Sequence, residues 1–588
     1  MANMEEAEEE SEDDFRDIGE VMGDMEEEPE LCWTGEMRAA DTAALAALMA
    51  DTGFLARFEG RCGVPAAGAL RKQYDALAER DAGAELQAVM ERYGASHLRP
   101  VVIAERAAVD NLADGACWSL RTLLGYVSAD FGRGLLRLGI ASMARGDLSG
   151  ALQDLERATE VAPDLADAHN ALGAVYWEQG DVSRAIRTYE ECARLAPSAT
   201  TPAHNRLLAM NYTPDVSMEC VFEEHAAWGQ GFCKQVSDLG TGFEDWLCPL
   251  TEEGRLRVGY LSPDFCDHPV AFFLQCLLEH HDREGFEVFV YSNAPCSDGK
   301  TELLKSFLPP DHWRDVRGQS AQQVAACIRD DGICILVELA GHTAENRLDV
   351  VSLKPAPVQI SYMGYLNTTG LGALDYSITD AVADPPDTRQ RYTEELVRLP
   401  GCFLCYTPPA TIPDVDWRAK EDGSVTFGCI GALPKISAPC IALWARVLEA
   451  VPNSTLLVKT HGLQSEQVRA RFLERLSSLG IAESRLRLLG PSPRFEALQQ
   501  YNEIDIALDP FPFGNITTTC EALLMGVPTV TLRGSVRVSR MGATLLTAAG
   551  LPEFIADHGD EYVQKAAALA GDRAALSSLR LGLRARLV

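Results

Sequence analysis

The stretch that decides the fold is DIALDPFPFGNITTTCEALLMGVPTVT, residues 505–531. Its apolar start predicts a strand that ends near Asp509, and the loop rich in Pro and Gly leads from there into a short helix. We expect that helix to begin at Thr518, because Thr518 and Glu521 have the spacing of a capping box, and to stop at Gly526. A second apolar run follows. The stretch therefore predicts a strand–helix–strand unit of a parallel α/β sheet.

The start of this helix is a candidate phosphate site. Thr517, Thr518 and Thr519 stand where unpaired backbone N–H groups meet the positive end of the helix dipole. An ordinary helix start that binds nothing would have the same position. From the residues alone, both interpretations stay open.

Apolar strands alternate with predicted helices on the N-terminal side of this stretch and within it. They form two series, with predicted strands at 255–261, 286–291, 333–339 and 358–362, then at 425–428, 455–459, 485–489, 504–508 and 529–532. A Pro- and Asp-rich segment at 406–423 separates the series and predicts a linker. We therefore expect an N-terminal lobe at 255–405 and a C-terminal lobe at 424–588, both doubly wound. Two such lobes facing each other would bind a ligand in the crevice at the carboxyl ends of their strands.

A repeat of 34 residues precedes the first lobe. Leu138-Gly139 recurs as Leu172-Gly173 and Gly146-Asp147 as Gly180-Asp181, and Ala151 and Pro163 recur at the same offset. This order resembles the tetratricopeptide repeat, a helix pair whose stacking forms a concave surface for peptides. Two copies occupy 135–201. We expect helices at 31–134 that act as degenerate repeats or caps, and connecting helices at 202–254.

The charge of the chain is concentrated at its start. The formal net charge is −34, and residues 1–30 hold fifteen acidic residues against the single Arg16, which predicts a disordered acidic tail. The acidic balance argues against nucleic acid as a partner, since binding its phosphates needs a basic surface. No secretory signal or apolar run of membrane-spanning length is present in the sequence, so we expect no membrane association.

The 17 cysteines lack the spacing of a disulfide framework and predict reduced thiols in the cytoplasm and nucleus. The one CxxC motif, Cys402 to Cys405, has no second pair to complete a zinc site. We therefore expect no metal.

The ordered motifs of both lobes resemble the O-GlcNAc transferase and SPINDLY family. The resemblance covers about 255–580 and rests on RVGYLSPDFCDHP (257–269), LAGHT (339–343), KPAPVQ (354–359), GYLNTTG (364–370), FGCIGALPKI (427–436) and the stretch quoted first. It implies tetratricopeptide repeats followed by a GT-B fold of two Rossmann-like domains. It also implies a nucleotide-diphosphate sugar donor, inversion at the anomeric carbon, and neither metal nor other cofactor.

The resemblance also implies roles for individual residues. Lys435 matches the lysine that neutralises the leaving diphosphate, and His268 matches a histidine that accepts the proton of the acceptor hydroxyl or only binds substrate. The matches to the nucleotide-binding segments and to the Gly-His-Thr turn are Thr517, Thr518, Glu521, Ser539, Arg540, His342 and Thr343.

Several segments resemble the SPINDLY branch more closely than the animal O-GlcNAc transferase. That branch implies transfer of fucose from GDP-fucose to Ser or Thr of intracellular proteins, with GlcNAc from UDP-GlcNAc as the other donor. Ile516 stands where the O-GlcNAc enzyme has a histidine. The repeat array is short and the aromatic C-terminal helix of the family is absent, so we expect a truncated C-terminal lobe. The alternative is a repeat scaffold protein with a degenerate transferase domain.

Overall fold

The computed structural model describes residues 129–237, 254–417 and 422–587. The predicted acidic tail and most of the helical segment at 31–134 lie outside these ranges. The described residues form two compact units, a helical unit of residues 129–178 and 187–202 and a two-sheet unit of residues 179–186 and 203–587.

The helical unit confirms the repeat. Its helices are α1 (Ala129–Ala144), α2 (Leu148–Val161), α3 (Ala166–Glu178) and most of α4 (Val182–Leu195). A Cβ atom added at Gly139 would lie 2.5 Å from Leu155, and one added at Gly173 would lie 2.5 Å from Tyr189. The two contacts are related by the repeat period, so the glycines recur because each lets paired helices pack closely. The first helix begins at Ala129, before the predicted boundary at 135.

The two-sheet unit contains two parallel sheets with helices between the strands. After α5 (Thr201–Ala209) and α6 (Met218–Ser237), the N-terminal lobe has the order β1 (Leu256–Ser262), α7 (Pro269–His280), β2 (Phe286–Ser292), α8 (Gly299–Ser306), β3 (Trp313–Asp315), α9 (Ala321–Asp330), β4 (Ile335–Glu338), α10 (Leu348–Ser352), β5 (Val358–Ser361), β6 (Tyr376–Asp380) and β7 (Glu395–Leu399). Its seven strands are arranged β3-β2-β1-β4-β5-β6-β7.

The C-terminal lobe repeats this plan. Its elements are β8 (Val425–Ile430), α11 (Ala438–Ala450), β9 (Ser454–Lys459), α12 (Glu466–Ser478), β10 (Leu486–Leu489), α13 (Arg494–Gln500), β11 (Ile506–Leu508), α14 (Thr517–Leu524), β12 (Thr529–Leu532), α15 (Met541–Ala548), β13 (Ile555–Ala556), α16 (Gly559–Gly571), α17 (Arg573–Gly582) and α18 (Arg584–Leu587). The six strands are arranged β10-β9-β8-β11-β12-β13. In both sheets the strand order reverses beside the first strand, which is where doubly wound folds bind ligands.

The two lobes share one apolar core. Phe265, Val270 and Leu339 of the N-terminal lobe belong to the same buried cluster as Phe513 and Met541 of the C-terminal lobe. Burial of this surface holds the lobes together and fixes the position of the loops at the crevice.

Two further expectations meet the structure outside the sheets. Among the described residues twelve cysteines are thiols. No helix of the described segments has the length and apolar character that crossing a membrane requires.

Candidate active site

Lys435 ends a short turn that follows β8, at the carboxyl edge of the C-terminal sheet. Its Nζ donates a hydrogen bond of 3.4 Å to the carbonyl oxygen of Gly514 and lies 4.9 Å from the centre of the Phe513 ring. Burial lowers the pKa of Lys435 to about 8, while the nearby Asp509 acts in the opposite direction. The structure therefore holds an ammonium group against the loop that the sequence placed between β11 and α14.

Asp509 organises that loop. Its carboxylate accepts hydrogen bonds from the backbone N–H of Asn515, at 2.8 Å, and from the Thr531 hydroxyl, at 2.7 Å. Burial raises the pKa of Asp509 to about 6. One carboxylate thus ties the end of β11 to the residue two positions before α14 and to β12.

The start of α14 differs from the prediction. The helix begins at Thr517, and the residue before it, Ile516, makes no side-chain cap, so the predicted capping box of Thr518 and Glu521 is wrong. Thr518 already lies in the first turn, where its carbonyl accepts a hydrogen bond of 3.0 Å from the Tyr501 hydroxyl. Thr519 is buried and its hydroxyl donates to the carbonyl of Asn515, at 3.2 Å. The first-turn N–H groups therefore lack the side-chain cap that the sequence predicted.

Glu521 lies on the same helix and is half-buried. Burial raises its pKa to about 7, and the positive charge of Arg494 lowers it in part. The sequence expected Glu521 to close the helix start; the structure instead groups it with Tyr501 and Arg494.

His268 caps the helix that follows β1. Its Nδ1 accepts a hydrogen bond of 3.3 Å from the backbone N–H of Val270 and lies 3.3 Å from Oδ1 of Asp264. The side chain is 42% exposed, so its other ring nitrogen can meet a substrate. Nδ1 cannot accept from Val270 and carry a proton at once: in the tautomer with the proton on Nδ1, this nitrogen gives up the Val270 bond and donates to the Asp264 carboxylate, and Nε2 is then the basic nitrogen.

A salt bridge connects the turn of His268 to the C-terminal lobe. The distance between Nη2 of Arg494 and Oδ1 of Asp267 is 3.1 Å. The guanidinium carbon of Arg494 lies 4.3 Å from the centre of the Phe272 ring. The sequence did not identify Arg494 or Asp264 as site residues. Asp264 stood in a motif after a predicted strand, which was a usable signal, whereas Arg494 carries no local pattern that points across the crevice.

His342 is fully buried in the N-terminal lobe. Its Nδ1 lies 2.7 Å from Nδ1 of His204, and its Nε2 lies 2.8 Å from the carbonyl oxygen of Thr369. The hydroxyl of the neighbouring Thr343 donates to the carbonyl of Ala340, at 2.9 Å. Both predicted binding residues thus bond to protein groups in the structure.

The turn that carries His342 is held by Glu338, at the end of β4. The Glu338 carboxylate accepts hydrogen bonds from the backbone N–H groups of Ala340, at 2.7 Å, and Gly341, at 2.9 Å. Burial raises the pKa of Glu338 to about 7. Glu338 is a further residue that the sequence did not single out.

Ser539 and Arg540 lie in the turn before α15. The Ser539 hydroxyl donates to the carbonyl of Val536, at 2.7 Å. The Arg540 guanidinium donates to the carbonyl of Val382 in the N-terminal lobe, at 2.7 Å, and to that of Gly534, at 2.9 Å. The structure thus places this predicted pair where the two lobes meet, with protein groups as its partners.

A cavity of about 360 Å³ opens beside the Lys435 turn, within the two-sheet unit. Its walls include Tyr212, Ser437 and Arg471. The Tyr212 ring stacks on the Phe513 ring with centroids 4.2 Å apart, so the cavity borders the loop between β11 and α14 that Lys435 contacts. Its volume is in the range of small-ligand sites.

Comparison with known proteins gives matches over both units. The family model of glycosyl transferase family 41 matches residues 242–420 and 414–587, and two tetratricopeptide-repeat models match 139–180 and 166–199. The chain is 44% identical over 396 residues to a protein of Arabidopsis thaliana named probable UDP-N-acetylglucosamine–peptide N-acetylglucosaminyltransferase SPINDLY, covering 66% of this chain and 43% of that protein. The namesake from Oryza sativa subsp. japonica is 41% identical, over 68% of this chain and 43% of its own length.

A solved structure covers more of the chain. It is a lysine-to-methionine mutant of the Thermobaculum terrenum O-GlcNAc transferase, 33% identical, with a TM-score of 0.73, covering 84% of this chain and 93% of that one. The described fold is therefore that of tetratricopeptide repeats followed by a GT-B pair of Rossmann-like domains. The chain spans less than half the length of the two plant relatives that it matches.

Proposed function

The chain belongs to glycosyl transferase family 41, and from this premise we propose that it transfers a sugar from a nucleoside diphosphate to Ser or Thr of other proteins. The observation that carries the proposal is the position of Lys435. Its ammonium group lies against the loop that leads to the start of α14, where backbone N–H groups lack a side-chain cap. A cation beside such a helix start suits the charge that develops on a leaving diphosphate.

The proposed reaction is a single displacement that inverts the anomeric carbon. The acceptor hydroxyl oxygen bonds to that carbon as the bond to the diphosphate oxygen breaks, and the hydroxyl proton passes to Nε2 of His268. Asp264, 3.3 Å from Nδ1, stabilises the imidazolium that forms. The negative charge of the diphosphate is met by Lys435 and the first turn of α14. Protein groups thus serve as proton acceptor and as cation, and this route needs no metal.

We propose GDP-fucose as the donor, with UDP-GlcNAc as the alternative. The support for fucose is the likeness to the SPINDLY branch and the presence of Ile516 at the helix start, where the O-GlcNAc enzyme has a histidine. The support for GlcNAc is the name of the plant relatives. Stabilisation against heat by GDP or by UDP separates the two, since a nucleotide that binds the folded state raises its melting temperature.

The acceptors are Ser or Thr residues of cytoplasmic and nuclear proteins, which the repeats would recruit. Stacked helix pairs present peptides with a concave surface, and the two repeats of the helical unit supply such pairs. The cavity beside the Lys435 turn adjoins the proposed site and is large enough for one or two acceptor side chains.

The test removes the charge of the Lys435 side chain and keeps the volume of that side chain. The purified chain is incubated with a library of Ser- and Thr-containing peptides and with labelled GDP-fucose or UDP-GlcNAc. We expect transfer from one donor, and a fall of about 10²–10³-fold in kcat for Lys435→Met, as for removal of a group that stabilises transition-state charge.

Lys459→Met is the matched control. Lys459 ends the neighbouring strand β9 and is buried, and its Nζ donates to the carbonyl of Gly490 and to the hydroxyl of Ser492, at 2.7 and 2.8 Å. We expect it to retain transfer. Equal activity of Lys435→Met and the wild type would refute the mechanism, and no transfer from either donor by a folded chain would favour the scaffold alternative.

A further inference from the structure

Two cysteines and an aspartate lie together beside the His268 turn. Each residue of this group offers one ligand atom, and the three atoms, from Cys266, Cys296 and Asp298, all lie within 4.8 Å of one another. All three side chains are half-buried, and both cysteines are thiols. We call this group the Cys–Asp cluster.

The register of the sheet explains why residues thirty positions apart meet. Strands β1 and β2 are parallel neighbours, with Leu256 opposite Phe286 and Ser262 opposite Ser292. Cys266 and Cys296 each lie four residues beyond these strand ends and keep the same offset of thirty. The cluster therefore stands at the carboxyl edge of the N-terminal sheet, where loops of doubly wound folds form sites.

The aspartate of the cluster is held in place by hydrogen bonds. Oδ1 of Asp298 accepts from the backbone N–H of Thr301, at 2.8 Å, and Oδ2 accepts from that of Asp267, at 2.7 Å. The nearby cation of Lys300 is directed elsewhere, with its Nζ 2.7 Å from Oε1 of Gln275 and 3.9 Å from the centre of the Phe272 ring. The carboxylate is thus fixed on the side of the two thiols.

From this geometry we propose that the Cys–Asp cluster binds one Zn²⁺ ion through two thiolates and one carboxylate. An equilateral triangle with 4.8 Å edges has its centre about 2.8 Å from each corner, only about 0.5 Å more than a Zn–S bond of about 2.3 Å. Two thiolates select zinc over magnesium or calcium, which prefer oxygen ligands. Three protein ligands leave a fourth position for water or another small ligand.

The bound ion would restrain the turn that carries His268. The backbone N–H of His268 donates to the carbonyl of Cys266, at 2.7 Å, and the next residue back, Asp267, is tied to Asp298. The site lies outside the proposed transfer chemistry, and its binding test does not depend on that chemistry. The expectation of no metal rested on cysteine spacing along the chain, which does not register a pair brought together by two strands.

The first experiment is a Co²⁺ titration of the metal-free full chain under a non-thiol reductant, with Zn²⁺ added afterwards. We expect thiolate-to-cobalt charge-transfer absorption that saturates with one equivalent at this site and disappears when Zn²⁺ displaces Co²⁺. Cys266→Ser and Cys296→Ser each lose this component, and Asp298→Asn weakens binding by at least about tenfold. Asparagine retains the helix-capping oxygen of residue 298 but not the acceptor for Asp267, so this variant removes the charge together with that hydrogen bond.

Cys327→Ser is the matched control. Cys327 is also a half-buried thiol near a carboxylate, with its Sγ 3.8 Å from Oδ2 of Asp331, but that carboxylate is paired with Arg314. It should bind like the wild type. Unchanged cobalt spectra in both Cys266→Ser and Cys296→Ser would overturn the proposal.

A second measurement uses the wild-type chain and needs no variant to fold. The alkylation rates of Cys266 and Cys296 are followed by mass spectrometry of peptides, with and without Zn²⁺. We expect Zn²⁺ to slow both rates and to leave that of the exposed Cys220 unchanged. Equal rates with and without Zn²⁺ at both cluster cysteines would contradict the site, whether or not the chain transfers sugar.

Discussion

Burial shifts the basic and acidic groups of the crevice in opposite directions. It lowers the pKa of Lys435 to about 8 and raises that of Asp509 to about 6, so each group is moved towards its neutral form. Their mutual attraction limits both shifts. A negatively charged diphosphate placed near Lys435 would favour its charged form, which couples donor binding to the protonation of this lysine.

Asp264 acts on the proposed reaction through His268. We expect Asp264→Asn to lower kcat by about 10- to 100-fold with little change in KM for the donor, because the substitution removes the charge that stabilises the imidazolium while leaving the donor contacts in place. The measurement is initial-rate kinetics with saturating peptide. Asp282→Asn serves as control, since Asp282 accepts backbone hydrogen bonds in the turn after α7 and asparagine can do the same. An increase in donor KM with unchanged kcat would show that Asp264 acts in binding instead.

The sequence identified some of these residues and missed others for a physical reason. Lys435, His268 and Thr517 to Thr519 lie next to strand ends or helix starts, where local pattern and family motifs point to candidate site residues. Arg494 and Glu338 act through contacts with the opposite lobe or with a turn of their own lobe, at 3.1 Å to Asp267 and 2.9 Å to Gly341. The contact of Arg494 depends on tertiary packing, which the local pattern does not encode, whereas Glu338 and Gly341 are only three residues apart.

At the scale of elements, the connecting helix α6 packs directly on backbone of the N-terminal lobe. A Cβ atom added at Gly229 would lie 1.9 Å from the carbonyl oxygen of Gly370, and one added at Gly370 would lie 2.0 Å from the carbonyl oxygen of His225. Each glycine thus permits the approach of the other segment, and neither contact can be relieved by rotating a side chain.

We therefore expect Gly229→Ala to destabilise the two-sheet unit by about 1–3 kcal/mol, since the clash with a carbonyl group forces backbone shifts. Gly231→Ala is the control on the same helix. An added Cβ there meets nothing within 4 Å, and alanine is the better helix former by up to about 1 kcal/mol. The measurement is urea unfolding of both variants. Equal stability of the two would show that α6 moves away from the Gly370 loop at little energetic cost.

Three of the four strands that the sequence missed lie at sheet edges, and β6 is the exception. All nine predicted strands are found, but β3, β6, β7 and β13 were not predicted as strands. Two of these are only three and two residues long, and β7 is an edge strand whose residues alternate between exposed and half-buried. A hydrophobic pattern predicts strands that are buried on both faces, whereas edge and very short strands are defined by their neighbours in the sheet.

At the scale of the whole two-sheet unit, three histidines from separate segments meet in the interior. His204 of α5 contacts His342, and His225 of α6 lies with its Nε2 2.6 Å from the Tyr365 hydroxyl. Burial lowers the pKa of His204 and of His225 to about 4, and it also lowers that of His342 well below its ordinary value. These residues join the connecting helices to the N-terminal lobe only while they are neutral.

The sign of their effect on stability follows from the unfolded chain, where histidine titrates near about pH 6.5. Between about pH 4 and 6.5 the unfolded chain binds more protons at these sites than the folded chain does, so their contribution is complete above about pH 6.5 and declines as the pH falls. Three buried carboxyls act in the opposite sense. Glu338, Glu521 and Asp509 have raised pKa values, so their contribution is present at low pH and is lost as the pH rises through about 6 to 7. The stability of the wild type alone therefore does not isolate the histidines.

A comparison of one variant at two pH values does isolate them. At about pH 7.5, His204→Gln should destabilise the chain by about 1–3 kcal/mol, because it removes a buried partner of His342. At about pH 5 the same substitution should destabilise the chain by about 2 kcal/mol less. In the wild type, proton uptake by His204 on unfolding lowers the free energy of unfolding by about 1.4 kcal/mol for each pH unit below 6.5, and the variant lacks this effect. Urea unfolding at both pH values gives this difference, with His280→Gln on the exposed end of α7 as the control for losing a histidine. If His204→Gln destabilises the chain equally at both pH values, the folded chain accepts a proton at this cluster as readily as the unfolded chain does. The cluster would then make no contribution to the pH dependence of stability.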